Sequence, residues 1–114
     1  MYKRQGEDGT AVAFLAQGGS GCISVTANIA PKLCSDFQKF SLSKSDNEYK
    51  EAERIDKILQ PVHKSMFIES NPSPVKYAAS LLNLSSDEVR LPLVKISEEN
   101  KKIVKSALSY ANLL

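Results

Sequence analysis

Gly18-Gly19-Ser20-Gly21-Cys22-Ile23-Ser24-Val25-Thr26-Ala27-Asn28-Ile29-Ala30 is the stretch around which the chain is organised. Its three glycines, Gly18, Gly19 and Gly21, end a preceding helix in a tight turn, because glycine enters positive φ without a steric penalty. Cys22 to Thr26 then carries β-branched and small residues on both faces and is too short for a helix. The pattern predicts a strand covered on both sides, the habit of parallel sheets in α/β proteins, and it is the one clear strand in the sequence. One strand cannot make a sheet, so this segment is built to sit among partners. Pro31, which has no N–H to leave unpaired, suits the first turn of a following helix.

Upstream, Gly6-Glu7-Asp8-Gly9-Thr10 reads as a turn, with Asp8 or Thr10 available to cap a short helix from Ala11 to Gln17. Turn, helix, glycine turn, strand and helix in that order make the repeating unit of a wound α/β fold. A strand is therefore expected before Gly6. Tyr2-Lys3-Arg4-Gln5 offers one apolar residue and two charges where a buried strand needs an apolar run, so the start reads as cut short.

Downstream the grammar is that of consecutive helices. Pro31 to Phe40 spaces Leu33, Phe37 and Phe40 along one face, and Ser45 with Glu48 has the spacing of a capping box. The long helix that follows places Ala52, Ile55, Leu59, Val62 and Met66 on one stripe, with Pro61 expected to kink or divide it. Asn71-Pro72-Ser73-Pro74 breaks the chain and restarts it, with Ser73 as the expected cap and Val75, Ala78, Ala79 and Leu82 as the buried side. A last helix, capped by Ser97, is expected to bury Ile103, Ala107, Tyr110, Ala111 and Leu114.

With 114 residues, 42% hydrophobic and 25% charged, the composition is that of one ordinary globular domain. No apolar run approaches the length of a membrane span, and the first residues lack the apolar stretch of a signal peptide, so a cytoplasmic protein without a membrane partner is expected. The net charge of +2 is small, and basic residues alternate with acids, as in Lys50-Glu51-Ala52-Glu53-Arg54, so nucleic-acid binding has no electrostatic support. Cys22 and Cys34 have no second pair and no histidine at ligand spacing. They read as inert thiols in a reducing compartment, with no metal site. His63, the sole histidine, has no partner nucleophile nearby in sequence and reads as a surface or helix-packing residue.

Four stretches, GEDGT at Gly6 to Thr10, GGSGCISVTANIAP at Gly18 to Pro31, FIESNPSPVKYAA at Phe67 to Ala79 and VRLPLVKIS at Val89 to Ser97, together resemble the dihydrodipicolinate synthases, within the wider group that includes N-acetylneuraminate lyases. The resemblance covers Gly6 to Leu114. It implies an α/β fold, a partial TIM barrel: residues 1–45 as the remnant of a (β/α)₈ barrel (seventh helix, eighth strand, eighth helix) and residues 46–114 as a C-terminal helical region. The chain itself is expected to be mostly α-helical. A complete barrel takes about 250 residues, so most of the barrel is missing.

The reaction implied by the resemblance is a Schiff-base condensation of pyruvate with aspartate semialdehyde on the path to diaminopimelate and lysine, with no cofactor. Its first step needs a partly neutral lysine amine. In the family that lysine ends the sixth strand, which lies before the segments matched here. Lys32 reads as a solvated charge on a helix, and Lys76 matches a recurrent family lysine that is not the Schiff-base residue. No catalytic residue is therefore expected in this chain. The resemblance carries over Ile23, against the pyruvate methyl, and Gly6, near the pocket floor, as substrate-binding residues, with Ser24 and Asn28 near the barrel mouth. Ile23 also reads simply as a core strand residue. Three functions stand side by side: a truncated synthase inactive alone, a non-catalytic helical interaction module, and one half of a split pyruvate-dependent lyase. Family members are homo-oligomers, tetramers among them, and unpaired strand edges imply that the isolated chain self-associates.

Overall fold

Parallel pairing resolves the lone-strand problem posed by the Gly21 segment. The computed structural model describes residues 2–114 and pairs β1 (Arg4–Gln5) with β2 (Gly21–Cys22) in parallel, Arg4 opposite Gly21 and Gln5 opposite Cys22. The Ser20 N–H donates to the Lys3 carbonyl at 2.7 Å and the Ile23 N–H to the Gln5 carbonyl at 2.8 Å, extending the ladder at both ends. The strand expected before Gly6 is present at Arg4–Gln5, because backbone pairing on a sheet edge tolerates the exposed charge of Arg4. One expectation is corrected. The strand expected over Cys22 to Thr26 stops at Cys22, and Thr26–Asn28 closes into a 3₁₀ turn. The reason lies in the preceding loop: the amides of Val25 and Thr26 donate to the Asp8 carboxylate instead of to a neighbouring strand.

Helix α1 (Ala11–Ala16) carries the chain from β1 to β2 and ends on the predicted glycines. The Gly19 N–H reaches the Phe14 carbonyl at 2.9 Å and the Gly18 N–H the Leu15 carbonyl at 3.0 Å, with Gly18 at φ 88°. This six-residue closure satisfies the last carbonyls of the helix. A Cβ on Gly19 would stand 2.3 Å from the Phe14 ring and 2.7 Å from its carbonyl oxygen, so only glycine fits. Asp8 does not cap α1. Glu7 caps the preceding 3₁₀ turn (Asp8–Thr10), accepting from the Gly9 N–H at 3.1 Å, and leaves Asp8 free to turn inward.

Four further helices follow: α2 (Pro31–Ser41), α3 (Asp46–Ser65), α4 (Ser73–Leu81) and α5 (Glu98–Tyr110). Pro61 does not divide α3. The proline removes one helical hydrogen bond, but its neighbours Leu59 and Val62 are fully buried, and their packing holds the helix in one piece. The capping box expected at Ser45 is replaced by Ser43, whose hydroxyl donates to Glu48 and accepts from the Ser45 N–H. Ser73 lies inside the first turn of α4 and donates to the Val94 carbonyl at 2.6 Å, so it pins the long connection to α5. Ser97 caps α5 as expected, and the Glu69 carboxylate accepts from both the Ser97 N–H and the Asn100 side chain.

The core has two parts, and α3 supplies both. Ile55 and Leu59 join Leu15 and Phe37 on one side; Val62 and Met66 join Ala78, Val104 and Leu108 on the other. Leu113, near the end of the chain, packs against both clusters. The stripe expected on α3 is buried throughout. The stripe expected on α5 is displaced: Val104, Ala107, Leu108 and Ala111 are buried, whereas Ile103, Tyr110 and Leu114 face outward. Helix α5 carries apolar residues on two adjoining faces, and α3 and α4 cover only one. Among the described residues no helix is long and apolar enough to cross a membrane.

Candidate functional site

The carboxyl ends of β1 and β2 lie together, and this is the end at which parallel α/β units place their chemistry. The ladder, continued one step beyond Gln5 and Cys22, sets Gly6 beside Ile23. These are the two residues named from the sequence as substrate contacts. A Cβ added at Gly6 would meet nothing within 4 Å, and Ile23 is 72% exposed. Both therefore border open space on the same rim. Ser24 and Asn28 are engaged locally: Ser24 donates to Asp8 and accepts from the Ala27 N–H, and the Asn28 amide donates to the Val25 carbonyl.

Behind that rim sits Asp8, buried at 5% exposure. One carboxylate oxygen accepts from the Ser24 hydroxyl and lies 3.9 Å from the Cys22 sulfur; the other accepts from the Val25 N–H at 2.9 Å and the Thr26 N–H at 3.3 Å. The buried Thr26 hydroxyl lies 2.7 Å from His63 Nδ1 on α3. His63 is thus an interior residue, correcting the surface alternative. Burial holds its imidazole below the usual pKa of 6.5, against the upward pull of Asp8, Asp56 and Glu7.

A cavity of about 250 Å³ opens beside this network, with Asp8, Cys22, Ser24, Cys34 and His63 in its wall. Both cysteines carry free thiols. Burial, reinforced by the Asp8 and Glu7 charges, pushes Cys22 up to about 11. Burial also pushes Cys34 up to about 11, with Ser24 opposing and Asp8 adding to the rise. Thiols held so far above neutrality are poor nucleophiles. No group of three or more His, Cys, Asp or Glu side chains able to hold a metal occurs among the described residues. Lys32 points into solvent and pairs with Asp36 at 3.0 Å, and Lys76 donates to the Glu88 carbonyl. Neither lysine lines the cavity. Sequence reasoning missed the role of Asp8, which it treated as a cap. The signal available was a second acidic residue in a turn already capped by the first.

A parallel βαβ unit whose loops gather at the strand carboxyl ends, followed by packed helices, defines part of a (β/α)₈ barrel. The sequence profile of the dihydrodipicolinate synthetase family matches residues 2–111, and the chain belongs to that family. It is 66% identical over 109 residues to the 4-hydroxy-tetrahydrodipicolinate synthase of Pelagibacter ubique, covering 96% of this chain and 37% of that protein. With the corresponding synthase of Afipia carboxidovorans it shares 50% identity, covering 96% of this chain and 36% of that one. Among solved structures, the pyruvate complex of dihydrodipicolinate synthase from Acinetobacter baumannii superposes with a TM-score of 0.92 at 34% identity, covering all of this chain and 38% of that one. The Thermotoga maritima synthase superposes with a TM-score of 0.89, also at 34% identity, covering 96% and 36%. The chain spans little more than a third of the length of the curated relatives it matches, 37% in the Pelagibacter case.

Proposed function

We propose that this chain supplies the closing βα units and the helical extension of a pyruvate-dependent 4-hydroxy-tetrahydrodipicolinate synthase. On this proposal residues 1–45 complete the barrel, residues 46–114 form the appended helical region, and Gly6 and Ile23 make one wall of the keto-acid pocket. The observation that carries the proposal is the placement of Gly6 and Ile23 side by side at the carboxyl ends of two parallel strands, with Ile23 72% exposed where an apolar side chain has no partner of its own. An apolar wall there suits the pyruvate methyl group. The amine that condenses with the keto carbon, releasing water, comes from a preceding barrel segment, either within one longer polypeptide or from a separate chain. The free Cys22 and Cys34 thiols favour a reducing compartment, and we place the protein in the cytoplasm on that ground.

Pyruvate followed by borohydride tests the proposal. The isolated chain is expected to gain no covalent adduct. A chimera in which this chain replaces the matching part of the Pelagibacter relative is expected to gain one, on a lysine outside this chain. An adduct on the isolated chain, or none on a folded chimera, overturns the assignment.

A second proposal concerns the isolated chain: the outer edges of β1 and β2 leave backbone groups unpaired, so the chain self-associates. Light scattering after gel filtration is expected to find species above 12.5 kDa, and a monodisperse monomer at all concentrations excludes it.

A further inference from the structure

Asp8 is a buried carboxylate, and both of its oxygens already accept from the protein. Its donors are consecutive along the chain: the Ser24 hydroxyl, the Val25 N–H and the Thr26 N–H, with the Cys22 sulfur 3.9 Å away. Ile23 falls between two of these tethered residues. At 72% exposure its side chain has almost no packing of its own, so its direction is set by the backbone on either side. On the Cys22 side the ladder fixes that backbone; on the Ser24 side Asp8 does. Asp8 also lies two residues after Gly6, so a single carboxylate ties together the two strand ends that form the rim. Ser24 adds a second tie by accepting from the Ala27 N–H, and Thr26 a third through His63.

We propose that Asp8 is a positioning residue for the keto-acid pocket, holding Ile23 and Gly6 in register so that the apolar wall is preformed. This rests on the pocket assignment made above. Asp8 touches no substrate on this account and acts only through Ile23. A preformed wall strengthens keto-acid binding, because no ordering of the loop has to accompany it. Removal of the carboxylate frees the Ser24 to Thr26 backbone and leaves two amides to find other partners.

The test uses the chimera with the Pelagibacter relative and measures pyruvate KM and kcat per site trapped by borohydride. Asp8→Ala is expected to raise the pyruvate KM about 10-fold while kcat per trapped site changes less than about 3-fold. Asp8→Asn keeps one acceptor oxygen and is expected to show a smaller rise of about 3-fold. That partial rescue also keeps the test alive if the alanine variant does not fold. A merely structural aspartate would lower the number of trapped sites and leave KM unchanged in both variants, which overturns the inference. Absence of any trapped pyruvate in the folded parent chimera overturns the pocket assignment itself, and this inference with it; an active parent with an unchanged KM in Asp8→Asn overturns this inference alone.

Discussion

The Thr26 hydroxyl and His63 Nδ1 lie 2.7 Å apart, joining the turn after β2 to the middle of α3. Thr26 is fully buried and His63 nearly so, which means that the hydroxyl cannot exchange its partner for bulk water without opening the interior. The pair therefore links the rim that carries Ile23 to the helix that supplies both halves of the core.

Thr26→Val removes the hydroxyl and keeps the shape, leaving a buried ring nitrogen without a partner. The expected loss is about 1–3 kcal/mol of stability. Urea unfolding measures it, and Thr26→Ser, which retains the hydroxyl, is expected to recover most of the difference.

Acid is expected to weaken the fold through His63. Its folded pKa lies below 6.5, so as pH falls through 6.5 the unfolded chain takes up the proton first. Stability from this group is fully present above about pH 6.5 and drains away between there and the folded pKa, with a slope of at most about 1.4 kcal/mol per pH unit. Urea midpoints from pH 8 to pH 5 report the slope. His63→Gln is expected to flatten it, and an identical slope in the variant would show that another group is responsible.

Helix α5 distinguishes its two apolar faces by mutation. Leu108→Ala, at a site with no exposure, is expected to cost about 2–5 kcal/mol. Tyr110→Ala, at 62% exposure, is expected to stay within about 0.5 kcal/mol. Thermal unfolding of the two variants side by side decides the matter.

The thiols give a chemical readout of burial. Cys22 and Cys34 stand near 11 instead of 9.0, so below pH 9 each holds about 100-fold less thiolate than an ordinary cysteine. Iodoacetamide at pH 8 is expected to label the native chain about 10-fold more slowly than the urea-unfolded chain, because the smaller thiolate fraction is partly offset by the greater nucleophilicity of a more basic thiolate, with mass spectrometry following each site.

The elements legible in the sequence were those fixed by short-range rules. Pro31 starts α2, Gly18 and Gly19 end α1, Ser97 caps α5, and the α3 stripe from Ala52 to Met66 is buried throughout. Long-range choices were not legible. Nothing in Tyr2 to Gln5 advertises a strand, because β1 exists through backbone bonds to a partner seventeen or more residues away. The shortening of β2 needed Asp8 to reach across from the preceding loop. The face of α5 that is buried depends on where α3 and α4 stand, and the helix itself offers two. At the candidate site, the adjacency of Gly6 and Ile23 follows from strand register, whereas the roles of Asp8 and His63 come from side chains meeting in three dimensions.

Leu113 touches both halves of the interior, and this makes the turn after α5 a rivet between them. Truncating this one side chain would loosen two cores at once, because a single leucine is shared between them.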